Sequence, residues 1–545
     1  MCFMILSALV VVFGCANGFL LVPDGFQKQP IKTSQACRTG NSSFCYPGMN
    51  CWPSQSEIAK FSDTFKKGDL LLPSHSLYRN LTVMKNLRVT KYPAMIAVVK
   101  DAAEIQECLY WARSKSMHIV VQSSGHDFQG RSTADGAFMI YLGNMTEISI
   151  KLNSTRKDCP YGEIVLGSGN QWQTVYKELD KVDRVMIGGS AHTVAIGGYT
   201  LGGGHSPISR MYGLAVDNLL EVEMITADSR LVIANDNGTT STDINGRTTH
   251  SSNTDLIWAS RGGGGGTFGV TTKFTFRLHE APKKMVRFSC NFPMYLAAQK
   301  MNVYDLVVEK FFSILPDMPK QWGGYFFLSI YPFQFVNQVG SVSFFLNHFG
   351  DWDSPSRVYM DHLLNFRPDL QRSCSYENLT SFWDYEKDAN DALYTRNDVI
   401  GTLVQKESLN SSDLIEFLRK HITSPKSGSF TGMTAILLGG KMMEVGPQDT
   451  SVHPGFRKAL MTVGIGASWG GNGDRDDEFS QYMQGLNAEF EKFGNGSYPN
   501  ESTGKSPTWK QDFWGSNYAR LEQIKKTWDP ENVFICQQCV GWDRW

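Results

Sequence analysis

Three glycine-rich loops hold the residues best suited to chemistry. They are 121–132 (VQSSGHDFQGRS), 188–205 (GGSAHTVAIGGYTLGGGH) and 261–269 (RGGGGGTFG). Glycine tolerates positive φ and lets the backbone approach a ligand closely, so successive N–H groups can converge on an anion such as a pyrophosphate. None of the loops is a G-x-G-x-x-G opening a helix directly after a strand, and no G-x-x-x-x-G-K-[ST] occurs. A dinucleotide bound here must be held in another way. His126 and His205 stand inside two of these loops, where an imidazole can act as nucleophile or as acid and base. For His205 a hydrogen-bonded structural role competes equally.

Other motifs lead less far. Gly466-Ala467-Ser468-Trp469-Gly470 fits the nucleophile elbow, yet Gly470-Gly471-Asn472-Gly473 follows where a helix must start at once. There is no H-E-x-x-H and no close His/Cys pairing of ligand type, so zinc chemistry is excluded and no metal is expected. Cys536-Gln537-Gln538-Cys539 lacks a thioredoxin-like surround and reads as a local disulfide or structural pair.

The elements that position the loops are α/β in texture from Tyr92 onward. Asp101-x-x-Glu104 is a capping-box variant opening a helix with Ile105, Cys108, Leu109 and Ala112 on one face. The strand 119–121 follows, then an amphipathic helix over 173–182, and a hairpin over 220–234 turning at Asp228-Ser229. Over 270–278 the residues Val270, Thr272, Phe274, Phe276 and Leu278 alternate strictly and are expected on one face. Beyond Glu280, aromatic strands (325–331, 343–349) mix with helices (302–315, 413–422), which suggests an antiparallel α+β sheet. A short helix over 517–527 stops at Asp529-Pro530.

At 545 residues with 41% hydrophobic content, two large domains are expected. A net charge of -1 gives no case for nucleic acid or an anionic membrane and leaves a small molecule as the ligand. Phe3 to Phe13 is an uncharged apolar run ahead of Cys15-Ala16-Asn17-Gly18, which marks 1–18 as a signal peptide lacking a basic n-region. The run is too short to span a bilayer. N-x-[ST] sequons stand at Asn41, Asn80, Asn144, Asn153, Asn237, Asn378, Asn410, Asn495 and Asn500, in keeping with a secreted glycoprotein. Of 11 cysteines, Cys2 and Cys15 would leave with the signal, and the odd remainder leaves at least one thiol free or paired between chains. Cys37, Cys45 and Cys51 look like disulfide staples, and Cys108 like a buried free thiol.

The order SSGHDFQGRS, GGYTLGGGHSPISRMYGLAVDNLLEVEMITAD, WASRGGGGGTFGV and NYARLEQIKKTWDPENVF resembles the berberine-bridge-enzyme-like oxidases of the vanillyl-alcohol-oxidase superfamily. The likeness runs from about Tyr92 to the C-terminus, strongest over 119–278 and 509–541 and weak over 285–430. It implies an α+β fold: a two-subdomain PCMH-type FAD-binding domain (91–280) and an α+β substrate domain with a large antiparallel sheet (285–500). A segment over 505–545 would complete the FAD site, and 19–90 would be an N-terminal extension with disulfides. FAD would be bonded through its 8α-methyl to His126, with its pyrophosphate between the first two loops. Contacts are expected from Ser123, Ser124, Gly125, Asp127 and Ser132 in the first loop. Thr193, Val194, Gly197, Gly198 and Gly203 would supply them from the second, and Asn517 from the C-terminal segment.

Departures from the family pattern sharpen these expectations. Gln122 and Ser124 replace an arginine and a glycine of R-S-G-G-H, so Ser124 must sit at a backbone angle that serine accepts. Ala191-His192-Thr193-Val194 stands where many relatives read C-P-T-V, and alanine cannot form their second, cysteinyl bond; a single histidyl link follows. Val194 matches a valine associated with oxygen reactivity, which favours an oxidase. His205 and Trp514 stand about where plant relatives carry active-site tyrosines. The base is left open among Tyr325, Tyr331, Glu444 and His453. The implied activity is hydride transfer from a small alcohol, carbohydrate or alkaloid- or terpenoid-like substrate to flavin, reoxidised by O2 to give H2O2, in a secreted monomer. The alternatives are a flavin-dependent cyclase or isomerase without net oxidation, and a dehydrogenase using another acceptor.

Overall fold

The computed structural model describes residues 44–296, 301–329, 340–365, 367–389, 391, 394–423 and 426–544. The predicted signal segment, Cys37, Asn41 and Tyr331 lie outside them.

Aliphatic runs build the first sheet. Met95–Val98, Phe138–Tyr141 and Ile119–Gln122 pair in parallel, with Asp69–Leu71 antiparallel on the outer edge. Parallel strands need cover, and the helix Ala102–Ser114 gives it by burying Ile105, Cys108, Leu109 and Ala112. Asp101 caps this helix by accepting from Glu104 N at 3.0 Å. Glu104 does not turn back onto Asp101; its carboxylate accepts from Lys67 N, Gly68 N and Lys100 N at 2.8, 2.8 and 2.9 Å. That carboxylate ties the N-terminal stretch into the sheet. The boundary expected at residue 91 therefore falls inside a unit that already includes Asp69–Leu71.

The second sheet is antiparallel in the order 248–251, 238–242, 231–235, 219–226, 269–277, 163–167, 148–151. The hairpin turns where expected, with Ser229 at φ 62°. The expected one-sided alternation of 270–278 does not hold. A bulge between Thr271 and Lys273 breaks the register against 219–226. One extra residue shifts the side-chain faces. Val270 accordingly packs with the first sheet's core, whereas Phe274, Phe276 and Leu278 join the core beneath the helices Trp172–Asp180 and Tyr518–Trp528.

The third sheet is also antiparallel, ordered 374–379, 285–293, 341–349, 322–329, 429–437, 459–469, 396–405. Alternation divides its faces. Phe326, Leu328, Phe344, Leu346, Met433 and Val463 pack under the helices Val303–Ile314, Ser412–Thr423 and Asp476–Phe490. Their neighbours Tyr325, Phe327, Phe345, Thr434, Ile436 and Gly464 face a cavity on the other side. Ser468 lies within the strand Ala459–Trp469, paired with Asn397 and Phe430, so no nucleophile elbow exists there.

Disulfides join Cys45–Cys51, Cys290–Cys374 and Cys536–Cys539, while Cys108 and Cys159 are buried thiols. Among the described residues, no helix is long and apolar enough to cross a membrane, and no cluster of three metal-ligating side chains occurs.

Candidate active site

The three glycine loops and the bare face of the third sheet enclose one cavity of about 330 Å³. The first loop leaves the strand Ile119–Gln122 and turns twice, at Gly125 (φ 73°) and Gly130 (φ 76°). Asp127 fixes the turn by accepting from Gln129 N and Ser132 N at 2.9 and 3.1 Å. Ser124 takes no positive φ, and its hydroxyl accepts from Ala195 N at 3.0 Å, stitching the first loop to the second. Gln122 points away from the cavity and donates to Leu81 O at 2.9 Å. Gly197 is required by packing, since a Cβ there would lie 2.8 Å from Ser123 Oγ; Gly198 opens on free space.

Ser123, Ser124, Gly125, His126, Asp127, Ser132, Val194, Gly197 and Gly198 all line the cavity. Three expected contacts, Thr193, Gly203 and Asn517, do not. Gly203 packs toward Val452 and Tyr498. Asn517 is buried behind the wall, donating to the carbonyls of Pro447, Thr450 and Val452 at 3.2, 3.3 and 2.9 Å. Its NH2 group holds the 447–452 loop. Trp514 does face the cavity, with its Nε1 donating to Gly262 O at 2.9 Å.

Orphaned polar atoms indicate what the cavity accepts. Arg131 is half-buried, donates from Nη1 to Pro499 O at 2.8 Å, and keeps its buried Nε and Nη2 without partners. Burial holds its guanidinium below the usual arginine range. Ser132 Oγ and Thr271 Oγ1, also on the cavity wall, are likewise unpaired. Buried donors without partners are costly, and a guanidinium fork with adjacent hydroxyls is the donor set a phosphate satisfies. The cradle thus fits the pyrophosphate of FAD.

His126 lies midway along the first loop. Its Nε2 is 2.7 Å from Thr193 Oγ1, and that hydroxyl is bonded to Asp391. Lys85 Nζ stands 3.4 Å from Asp391. Burial pushes the His126 imidazole down to about 4, so the ring is neutral at physiological pH. Thr193 therefore acts on His126 from outside the cavity lining.

Two further proton-carrying groups face the cavity. His205 Nε2 is 3.1 Å from Glu501 Oε1, its ring edge against Tyr498, and its buried Nδ1 has no partner. On the third sheet, Tyr325 OH is 2.6 Å from Ser190 Oγ, which donates to Glu386 Oε1 at 2.8 Å. Burial drives the Glu386 carboxyl up to about 8, Ser190 opposing in part, and raises the Tyr325 phenol well above its ordinary value. Of the other described candidate bases, Glu444 is on the surface with Lys441, and the buried His453 caps Gly455 N at 2.9 Å. Ser190, Glu386, Asp391, Glu501 and the role of Arg131 escape a sequence reading. Arg131 and Ser190 lie in recognised loops, and a basic residue among glycines such as Arg131 is itself a signal for an anion.

The chain matches a FAD binding domain model over residues 93–235 and a berberine and berberine-like model over 497–541. It is 28% identical over 476 residues to an uncharacterized FAD-linked oxidoreductase of Arthroderma benhamiae, spanning 84% of this chain and 78% of that one. It is also 28% identical to a VAO-type flavoprotein oxidase of Thermothelomyces thermophilus, spanning 83% and 77%. The fold superposes on a VAO-type flavoprotein of Myceliophthora thermophila C1 with a TM-score of 0.79 at 21% identity, covering 92% of this chain and 98% of that one. A glucooligosaccharide oxidase of Acremonium strictum gives 0.72 at 17% identity, covering 89% and 98%. With both family models matched in order on one polypeptide and this fold around the cavity, the chain carries a FAD binding domain and a berberine-like segment and is similar to FAD-linked oxidoreductases and VAO-type flavoprotein oxidases.

Proposed function

We propose that this oxidoreductase is a secreted oxidase that holds FAD by a single bond to His126 and oxidises a small, largely apolar alcohol or amine. The observation that carries this reading is the Tyr325–Ser190–Glu386 hydrogen-bond chain, which faces the same cavity as His126. Bound FAD supplies a two-electron acceptor for a substrate hydride and passes the electrons to dioxygen, giving hydrogen peroxide.

The protein supplies the proton path. Tyr325 is the catalytic residue, its phenol oxygen taking the proton of the substrate O–H or N–H. Its own proton moves to Ser190, and that of Ser190 to Glu386, so Glu386 is the proton sink. The substrate half of the wall carries Phe327, Phe345, Val399 and Ile436. A sugar needs a partner for each hydroxyl it leaves in water, and this face offers mainly the Tyr325 phenol and the unpaired Thr434 hydroxyl. The apolar members of the expected substrate range therefore suit it better than carbohydrates. Val194 on the cavity wall supports dioxygen as acceptor by its family position. The apolar leader, three disulfides and surface sequons support export.

The test pairs mass analysis of the tryptic peptide holding His126 with peroxide release across aromatic alcohols, cyclic amines and oligosaccharides. Expected are a peptide carrying the mass of FAD and peroxide from the apolar compounds. An unmodified peptide from flavin-replete protein removes the covalent claim, and reduced flavin inert toward oxygen removes the oxidase claim. Turnover of oligosaccharides alone removes the substrate class.

A further inference from the structure

We propose that Thr193 and Asp391 form a proton exit that equips His126 to bond to the flavin, Asp391 being the acceptor and Thr193 the carrier. The inference rests on the covalent reading of His126 given above.

The hydrogen-bond inventory fixes the direction. A hydroxyl has one proton to give, and Thr193 Oγ1 gives it to Asp391, whose other oxygen accepts from Thr193 N at 3.3 Å. Facing His126 Nε2 at 2.7 Å, the Thr193 oxygen can then only accept. Nε2 must carry the ring proton, which leaves the lone pair on Nδ1. Thus the contact with Thr193 selects the tautomer and names the nucleophile: Nδ1 attacks, Nε2 discharges. Burial keeps the ring neutral; at Asp391 burial is outweighed by the hydrogen bonds from Thr193 and the charge of Lys85, which hold the carboxyl below the usual carboxylate value.

A discharge route is needed because alkylating Nδ1 while Nε2 keeps its proton makes a cation where burial disfavours one. Asp391 Oδ1 is 3.9 Å from Nε2, too far for direct transfer, and the Thr193 hydroxyl bridges the gap. Lys85, 3.4 Å from Asp391, keeps the acceptor charged until the proton arrives. The balance is as follows. The bond formed joins Nδ1 to the 8α-carbon of the flavin. The bonds broken are one methyl C–H and the Nε2–H. The electron pair left on the isoalloxazine, together with two protons, goes to dioxygen and leaves as hydrogen peroxide. Asp391 and Thr193 touch neither substrate nor reacting carbon and act as positioning residues through His126.

The test follows attachment rather than turnover. Full-length wild type, Asp391→Asn, Thr193→Val and Thr193→Ser are each incubated with FAD. Covalent incorporation is timed by intact mass and by flavin retained in acid-precipitated protein. Asp391→Asn and Thr193→Val are expected to bind FAD yet attach it about 100-fold more slowly, the size of a lost acid–base path, with Thr193→Ser restoring the rate. Wild-type attachment rates in Asp391→Asn would overturn the relay alone, whereas absent attachment in wild type would overturn the covalent reading with it. One readout does not depend on how the variants fold: the linked nitrogen in the histidyl flavin released from wild type, identified by NMR. Nδ1 is expected, and an Nε2 linkage would overturn the proposal.

Discussion

At the scale of single residues, the site is governed by burial acting on charge. Among the described residues Glu386 has no cation beside it, and its carboxyl is raised to about 8 by desolvation. Below that pH the carboxyl already holds a proton and the path from Tyr325 through Ser190 is full. Above it the path is open. We expect kcat/KM to rise about tenfold per pH unit up to a plateau near pH 8, and Glu386→Gln to abolish that limb and lower the plateau. The sign for folding is opposite. Between the ordinary value of 4.5 and about 8, the folded state keeps a proton that the unfolded chain has released. Stability therefore falls as pH rises through that window, and thermal melts of Glu386→Gln should lose this dependence. His126, Ser123, Ser124 and Asp127 were legible in the sequence because they sit on a local glycine motif. Glu386 and Asp391 were not, since their stretch of chain carries no motif and tertiary folding alone brings it to the second loop.

At the scale of elements, the helix Tyr518–Trp528 shows how a buried charge organises a loop. Lys525 is fully enclosed, its ammonium donating to Asp529, Thr267 O and Phe534 O at 2.6, 2.7 and 2.6 Å. It thereby fastens the third glycine loop to the C-terminal segment. Replacing one partner of such a pair leaves the other charged and unpaired in the interior. Lys525→Met should cost about 3–5 kcal/mol, read as a lowered urea midpoint with earlier loss of any non-covalently held FAD. Helices with caps and one apolar face, such as Ala102–Ser114, were legible because capping and periodicity are local. The bulge in 269–277 was not: the alternating letters suit a flat strand, and only pairing with 219–226 reveals the extra residue. For the same reason the sequence could not say that both faces of the third sheet are covered differently, helices on one and cavity on the other.

At the scale of the whole molecule, the third sheet ends in an open edge. Among the described residues, Cys374–Leu379 pairs on one side only, with 285–293, and shows Ser375, Tyr376, Glu377 and Asn378 to solvent. Unpaired edges invite association with other chains. The Asn378 sequon lies on this strand, whereas the half-buried Asn500 amide is engaged at the cavity wall, donating to Gly198 O and Tyr498 OH at 3.1 and 3.0 Å. Peptide mapping of secreted protein should find a glycan on Asn378, and Asn378→Gln should raise self-association measured by light scattering. The cavity wall has a wider consequence. It draws on residues from Val121 to Cys539, and the orphaned Arg131 fork is closed over by Pro499. During synthesis the phosphate cradle cannot close until Pro499 has cleared the ribosome. Any truncation before residue 499 should therefore yield a colourless chain however well its first half folds.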